Sequence, residues 1–171
     1  MFGFGLVMGL NTPSLSQELL AEDIAALEDL AGWLSSLPQS SILVVILVKN
    51  ITALLISFVF APLLLVMPVL ALVINGWLLG FVSAGVIQQE SAGFLLAAIL
   101  PHGIFEIPAL IIGEAVALSF GMAVMLSLFN KQRRSRLLPT FRNHLKPLAL
   151  AIILLIPAAV IEAYVTPLFI R

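Results

Sequence analysis

Charged residues are scarce in this chain: they make up 10% of its 171 residues, whereas hydrophobic residues make up 61%. A soluble domain usually contains about a quarter of charged residues, most of them at its surface. The shortage therefore excludes an ordinary soluble globular protein. Apolar runs such as residues 42–60 and 148–160 reach or approach the length of about 20 residues that crosses a bilayer as a helix. The sequence predicts an integral membrane protein.

Cysteine is absent altogether. Its absence excludes disulfide bonds, zinc sites with cysteine ligands and catalysis by a thiol. Three frequent catalytic motifs are missing as well: the H-E-x-x-H of zinc proteases, the G-x-S-x-G of serine hydrolases and a glycine-rich phosphate loop. These absences favour a protein that is not an enzyme.

Basic residues are missing before Lys49, and six of the eight lie within one stretch of 16 residues. The six are Lys131, Arg133, Arg134, Arg136, Arg142 and Lys146. Between two apolar spans, such a stretch is typical of a cytoplasmic loop rather than of a nucleic-acid surface, because positive charge resists translocation. We therefore expect a multi-pass protein of the cell membrane, embedded in the lipid bilayer, with residues 130–147 as a cytoplasmic loop and no nucleic-acid partner.

The N-terminal region differs in charge from the rest. Five of the nine acidic residues lie before residue 30, and residues 14–31 have the pattern of an amphipathic helix whose polar face carries acids only. A helix that binds a cytoplasmic leaflet usually carries Lys or Arg on that face. We therefore expect this acidic helix to lie outside.

The first ten residues are apolar but too short for a signal peptide or a complete span. We expect them to form an interfacial or half-depth anchor, or the remnant of a longer first helix. The chain then divides into residues 1–41, with this apolar segment and the acidic helix, and residues 42–171, the transmembrane helical domain.

The apolar segments predict an all-α fold of about four transmembrane helices, with an interruption at "PHG" (residues 101–103). Pro101 and Gly103 break the segment 94–112 into halves of about 12–15 Å, each half of a hydrocarbon core. This pattern favours a re-entrant or broken helix over a kinked span. The other predicted spans are residues 42–60, 69–87, 114–129 and 148–169.

Six polar side chains lie inside these apolar segments, where an ionisable group costs about 2.5–3.5 kcal/mol at a helix centre. His102 and Glu106 are at i and i+4, so they share one helix face, and Glu114 is about 80° further round an unbroken helix. Glu162 and Asn75 are placed to join them from other helices. The predicted intramembrane cluster is His102, Glu106, Glu114, Glu162, Asn75 and Asn50.

Three interpretations of this cluster stay open. It is a hydrogen-bonded brace between helices, a transport or proton-relay site, or a site for a divalent metal such as zinc. The metal ligands would be His102 and Glu106 with one or both of the other glutamates, and His102, Glu106 and Glu114 are the predicted set. Sequence alone does not choose among them.

The stretch "ILPHGIFEIPALIIGEA" resembles the stage II sporulation protein M family, whose hallmark is PHG-x-x-E-x-P-A. It corresponds here to Pro101, His102, Gly103, Glu106, Pro108 and Ala109. "INGWLLG" before it and "IEAYVTP" near the C-terminus strengthen the resemblance, which covers residues 40–170. Family members usually begin with a basic N-terminus and a complete first span, and this chain departs from that pattern.

The resemblance implies a polytopic membrane protein. The namesake of the family is a scaffold that works with cell-envelope proteins, which implies a scaffold or assembly factor with a membrane or cell-envelope partner. A small-solute or ion transporter is the first alternative, and a membrane metallohydrolase is the second. A small bundle with exposed glycines and a polar seam also suggests a homo-oligomer, whereas Gly76 and Gly80, at G-x-x-x-G spacing, are typical of close helix packing.

Overall fold

The computed structural model describes residues 1–12, 29, 32, 33, 37–63 and 65–169, and these residues contain helices and no strands. The elements, numbered along the chain, are α1 (Phe2–Leu10), α2 (Gln39–Phe60), α3 (Val66–Gln89), α4 (Ala92–Phe129), α5 (Lys131–Arg134), α6 (Leu137–Val160), a π-helical segment (Ile161–Val165) and α7 (Thr166–Phe169). The helices α2, α3, α4 and the run from α6 to α7 are long and apolar enough to cross a membrane. The predicted all-α membrane fold is confirmed.

The "PHG" stretch does not interrupt its helix, so the predicted re-entrant or broken helix is wrong. Helix α4 continues through Pro101 and Pro108 for 38 residues, and it includes the predicted separate span 114–129. Each proline removes only one backbone N–H, and transmembrane helices tolerate that loss where neighbouring groups compensate. At about 1.5 Å per residue, α4 is about 57 Å long, nearly twice the hydrocarbon thickness of a bilayer.

The basic stretch 130–147 is mostly helical rather than a loop. It contains α5 and the first three turns of α6, and Arg134 Nε donates a hydrogen bond to the Ser127 carbonyl at the end of α4 (3.2 Å). His144 is half-buried, and its Nε2 lies 2.9 Å from the Ser119 hydroxyl of α4. His144 is therefore a helix residue that contacts α4 rather than a solvated loop residue.

The tightest core lies between α2, the second half of α4 and α6. Small residues permit this close approach: Ala61, Ala117 and Ala151 are all fully buried. The rings of Phe58 and Phe120 stack with their centroids 4.9 Å apart. Phe141 packs against both rings, so aromatic side chains fill the end of the core nearest the basic stretch.

Helix α1 packs in parallel on α3 through glycines on both helices. An added Cβ would collide with a backbone atom of the opposite helix at each of four positions: Gly5, Gly9, Gly76 and Gly80. Two G-x-x-x-G patterns therefore meet face to face. Trp77 Nε1 also donates a hydrogen bond to Thr12 Oγ1 just beyond α1 (3.2 Å).

This contact covers Gly76 and Gly80. The homo-oligomer stays a prediction. The predicted acidic amphipathic helix of residues 14–31 falls almost wholly outside the described residues. The division into residues 1–41 and 42–171 likewise remains a prediction.

Candidate functional site

His102 and Glu106 lie one turn apart on the same face of α4. The Nε2 atom of His102 and the Oε2 atom of Glu106 are 3.9 Å apart, which is too long for a hydrogen bond. The two side chains are 16% and 32% exposed. The pair is therefore partly buried in the bundle, and its two facing atoms are not hydrogen-bonded to each other.

Glu162 reaches this pair from the π-helical segment. One nitrogen of His102 and one carboxylate oxygen each of Glu106 and Glu162 all lie within 4.8 Å of one another. Pro167 follows the segment and lacks the N–H that would bond the Ala163 carbonyl in an α-helix, which weakens the α-helical pattern there. Single π-helical turns occur frequently at functional sites.

Thr166 orients the imidazole from the opposite side. Its Oγ1 lies 3.2 Å from Nδ1 of His102, and the threonine is buried. Because the hydroxyl engages Nδ1, the Nε2 atom faces the carboxylates. Thr166 is absent from the predicted site residues, although its position four residues after Glu162 in "IEAYVTP" is a signal that could have identified it.

The two predicted asparagines differ in their contacts. Asn50 on α2 donates a hydrogen bond from Nδ2 to Glu106 Oε1 (3.2 Å). Asn75 on α3 instead donates to the Ala71 carbonyl of its own helix (2.8 Å), and it approaches the cluster only as part of a cavity wall. The structure thus groups His102, Glu106, Glu162 and Asn50.

A cavity of about 340 Å³ adjoins this group. Its polar lining consists of Lys49, Asn75, His102, Glu106 and Glu162, and apolar side chains of α1, α3 and α4 complete the wall. Lys49 is not one of the predicted site residues. It is the one charged residue of α2, and an isolated lysine within an apolar span is itself a sign of function.

Glu114 does not belong to this group. It is 1% exposed, and its carboxyl group accepts a hydrogen bond from the Ser57 hydroxyl of α2. Eight residues separate it from Glu106, so it lies about 12 Å further along the helix axis. The predicted metal ligands were His102, Glu106 and Glu114. In the structure, Glu162 rather than Glu114 lies beside His102 and Glu106. Both glutamates of α4 line a second, smaller cavity of about 80 Å³.

The arrangement supports three kinds of chemistry. The imidazole and two carboxylates can hold a cation, exchange a proton, or orient a small polar solute against the apolar cavity wall. The Ser57–Glu114 pair is sealed among packed helices, which suits a brace rather than a ligand site.

Comparison with known proteins identifies relatives of the chain. The family model described as stage II sporulation protein M matches residues 1–167. Two uncharacterized proteins of Methanocaldococcus jannaschii are also similar. MJ0793 is 34% identical over 97 residues, or 56% of this chain and 54% of that protein. MJ0706 is 28% identical over 120 residues, or 69% of this chain and 52% of that protein.

The chain spans about half the length of these two curated relatives. No solved structure matches it. Because the family model covers residues 1–167, the chain belongs to the stage II sporulation protein M family.

Proposed function

We propose that this member of the stage II sporulation protein M family transports a small cation, which binds beside His102, Glu106 and Glu162. The observation that carries the proposal is the 340 Å³ cavity, which brings five polar side chains together inside a bundle of membrane-crossing helices. Ionisable side chains at such depth commonly mark ion or substrate pathways.

The contrast with Glu114 supports binding over a purely structural role. A brace requires only that its polar groups be paired and enclosed, as Ser57 and Glu114 are. The cluster instead leaves Glu106 about one-third exposed beside open volume. Two carboxylates and an imidazole favour a cation as the ligand.

The position of the cavity suggests how an ion enters. Alternating crossings of α2, α3, α4 and α6 put the turn between α3 and α4 opposite the basic stretch 130–147. With the basic stretch in the cytoplasm, the N-terminal region lies outside, and His102 is about 15 Å from the outer end of α4. The aromatic rings of Phe58, Phe120 and Phe141 close the cytoplasmic side. The cavity therefore faces outward in this proposal.

Single cysteines test this orientation, since the chain contains none of its own. In intact cells, a membrane-impermeant thiol reagent should label Gln88→Cys in α3 near the outer turn and should not label Ser135→Cys. Permeabilised cells should label both. Labelling of Ser135→Cys alone in intact cells would reverse the proposed orientation.

Flux in proteoliposomes tests transport. Vesicles with the full chain should take up Zn²⁺ or Mn²⁺, or conduct protons, faster than empty vesicles, as read by entrapped dyes. Glu106→Gln should lower this flux at least about ten-fold because it removes one cluster charge. Glu114→Gln is the matched control, since its amide oxygen can still accept the Ser57 hydrogen bond. Flux no faster than in empty vesicles for every one of these ions would contradict the proposal.

A scaffold or assembly factor is the second candidate, and family membership is the observation that favours it. A scaffold would bind a membrane or cell-envelope protein and would conduct no ions. Flux that disappears in Glu106→Gln would exclude a scaffold without transport activity. Co-purification of a partner, equal for native chain and Glu106→Gln, together with no flux, would favour the scaffold.

A further inference from the structure

We infer that His102, Glu106 and Glu162 bind one divalent transition-metal ion, with Zn²⁺ as the best fit and Mn²⁺ as the next. The inference rests on the proposed function in one respect: the ion occupies the same cavity and is its cargo. Binding of the metal can nevertheless be measured without any flux.

The ligand types select the class of ion. Imidazole nitrogen suits zinc and other transition metals, whereas carboxylate oxygen also serves manganese, magnesium and calcium. Zinc sites that keep an open position have three protein ligands, and both imidazole nitrogen and carboxylate oxygen serve as ligands in them. An oxygen-preferring ion such as Ca²⁺ or Mg²⁺ gains little from His102. The set therefore favours Zn²⁺ over both.

The spacing of the ligand atoms also fits an ion. Zinc binds nitrogen and oxygen at about 2.0–2.2 Å, so two ligands of one ion stand about 3–4 Å apart. The three ligand atoms lie within 4.8 Å of one another, and His102 Nε2 is 3.9 Å from Glu106 Oε2. This distance exceeds a hydrogen bond but approaches the separation across a shared metal, so small side-chain movements complete the site.

Two neighbours support a metal-binding role for His102 and Glu106. A metal-binding histidine usually has its other ring nitrogen held by a second group, and Thr166 Oγ1 is 3.2 Å from Nδ1 of His102. A ligating carboxylate is likewise hydrogen-bonded, and Asn50 Nδ2 donates to Glu106 Oε1. Both contacts leave His102 Nε2 and Glu106 Oε2 directed toward each other.

Lys49 gives the site a means of release. Lys49 lines the same cavity as Glu106 and Glu162, so its positive charge offsets part of their negative charge when no ion is bound. A divalent ion and the ammonium repel each other across this small volume. Removal of the lysine charge should therefore tighten metal binding, which is opposite to the effect of removing a ligand.

The experiment is titration of the full-length protein with Zn²⁺ alone, after purification in detergent, removal of any histidine tag and treatment with a chelator. We expect one ion per chain by calorimetry, and Co²⁺ as a spectroscopic substitute should give visible absorption. His102→Gln and Glu162→Gln should each weaken Zn²⁺ binding by about 100-fold or more. The matched controls His144→Gln and Glu114→Gln should bind as the native protein does.

Two further variants separate metal binding from a structural role. Thr166→Val should weaken binding by about 10–100-fold, and Thr166→Ser should restore it. Lys49→Met should bind about ten-fold more tightly. If the cluster is merely structural, neither variant should change the affinity for Zn²⁺. Unchanged Zn²⁺ affinity in folded His102→Gln or Glu162→Gln, or equal loss in His144→Gln, would overturn the inference.

The outcomes for the inference and for the transport function are distinguishable. Stoichiometric Zn²⁺ binding without flux would leave the metal site standing and contradict transport, which would favour a resident metal and reopen the metallohydrolase. Proton flux sensitive to Glu106→Gln, with no metal bound, would sustain transport and overturn the metal site.

Discussion

Glu106 and Glu114 lie eight residues apart on one helix and share the wall of the 80 Å³ cavity, yet they differ in exposure and in their partners. Glu106 lines a cavity of about 340 Å³ together with three other ionisable side chains. Glu114 is 1% exposed and has the Ser57 hydroxyl as its partner. The same residue type thus occupies a site open to a ligand in the first half of α4 and a sealed contact in the second.

The glycines of α4 show the same difference. A Cβ added at Gly103 would make only ordinary contacts, the nearest at 3.4 Å from Ile99. A Cβ added at Gly121 would lie 2.6 Å from the Ala61 carbonyl oxygen, and one at Gly113 would collide with Leu54. The second half of the helix is therefore closely packed, whereas the first half leaves space for a ligand.

Replacement of each glutamate by alanine should give the largest difference in stability between the two halves of α4. Glu114→Ala leaves a cavity and an unpaired hydroxyl in the tightest core, so the free energy of unfolding should fall by about 2–5 kcal/mol. Glu106→Ala should change it by less than about 1 kcal/mol, since it removes a costly charge beside existing space. Unfolding in mixed micelles measures the stability of both variants. An equal loss of stability in the two would contradict the distinction between an open and a closely packed half of α4.

Alanine at the glycines should have the next largest effect. Gly121→Ala should destabilise the protein by about 1–3 kcal/mol because α2 and α4 must separate. Gly103→Ala should be neutral or should stabilise by up to about 1 kcal/mol, from better helix propensity. Thermal denaturation of the purified variants provides the check, and destabilisation by Gly103→Ala would show that the first half is packed too.

A smaller, local effect is expected where α1 meets α3. Gly9→Ala should detach α1, and the free energy of global unfolding should fall by less than about 1 kcal/mol, because a terminal helix opens locally. In a Trp33→Phe background, the fluorescence of Trp77 reports the loss of its contact with Thr12. Gly3→Ala is the control, since its added methyl meets no atom within 4 Å. Identical Trp77 emission in both variants would contradict the packing.

The smallest effect should come from the contact of His144 with Ser119. A double-mutant cycle of His144→Ala and Ser119→Ala should give a coupling of about 0.6 kcal/mol, typical of hydrogen bonds between helices in membranes. This pair braces α4 and α6 but is less enclosed than Ser57 and Glu114. A coupling as large as the cost of Glu114→Ala would mean that burial is not what distinguishes these contacts.

The fold was largely predictable because apolar length alone determines which segments can cross a bilayer. The continuity of α4 could not be predicted in the same way. Proline usually breaks a helix, but in a membrane its effect depends on the neighbouring helices. The packing of α1 on α3 was not predicted, because each G-x-x-x-G pattern by itself is a weak signal. The two patterns indicate a helix contact only when they are known to face each other.

The candidate site was predicted in part. The spacing of His102 and Glu106 was sufficient to place them on one face. Glu114 was grouped with them because a rotation of about 80° leaves it near the same face, but the rise of about 12 Å along the helix axis separates it from Glu106. Glu162 was predicted to join them from the last span, and its carboxylate lies within 4.8 Å of the other two ligand atoms. Thr166 was not predicted: its spacing from Glu162 was a signal, but its contact with His102 depends on a π-helical turn that no residue pattern in "IEAYV" reveals.

That π-helical turn makes the number of residues between α6 and α7 as important as their identity. A π-helical turn holds one residue more than an α-helical turn, so deletion of Tyr164 would let an ordinary helix form while Thr166 kept its direction toward His102. Insertion of one residue would instead turn every later side chain by about 100° and take Thr166 away from His102. Among relatives of this protein, a gap of one residue here would therefore be compatible with the site, whereas one added residue would predict its loss.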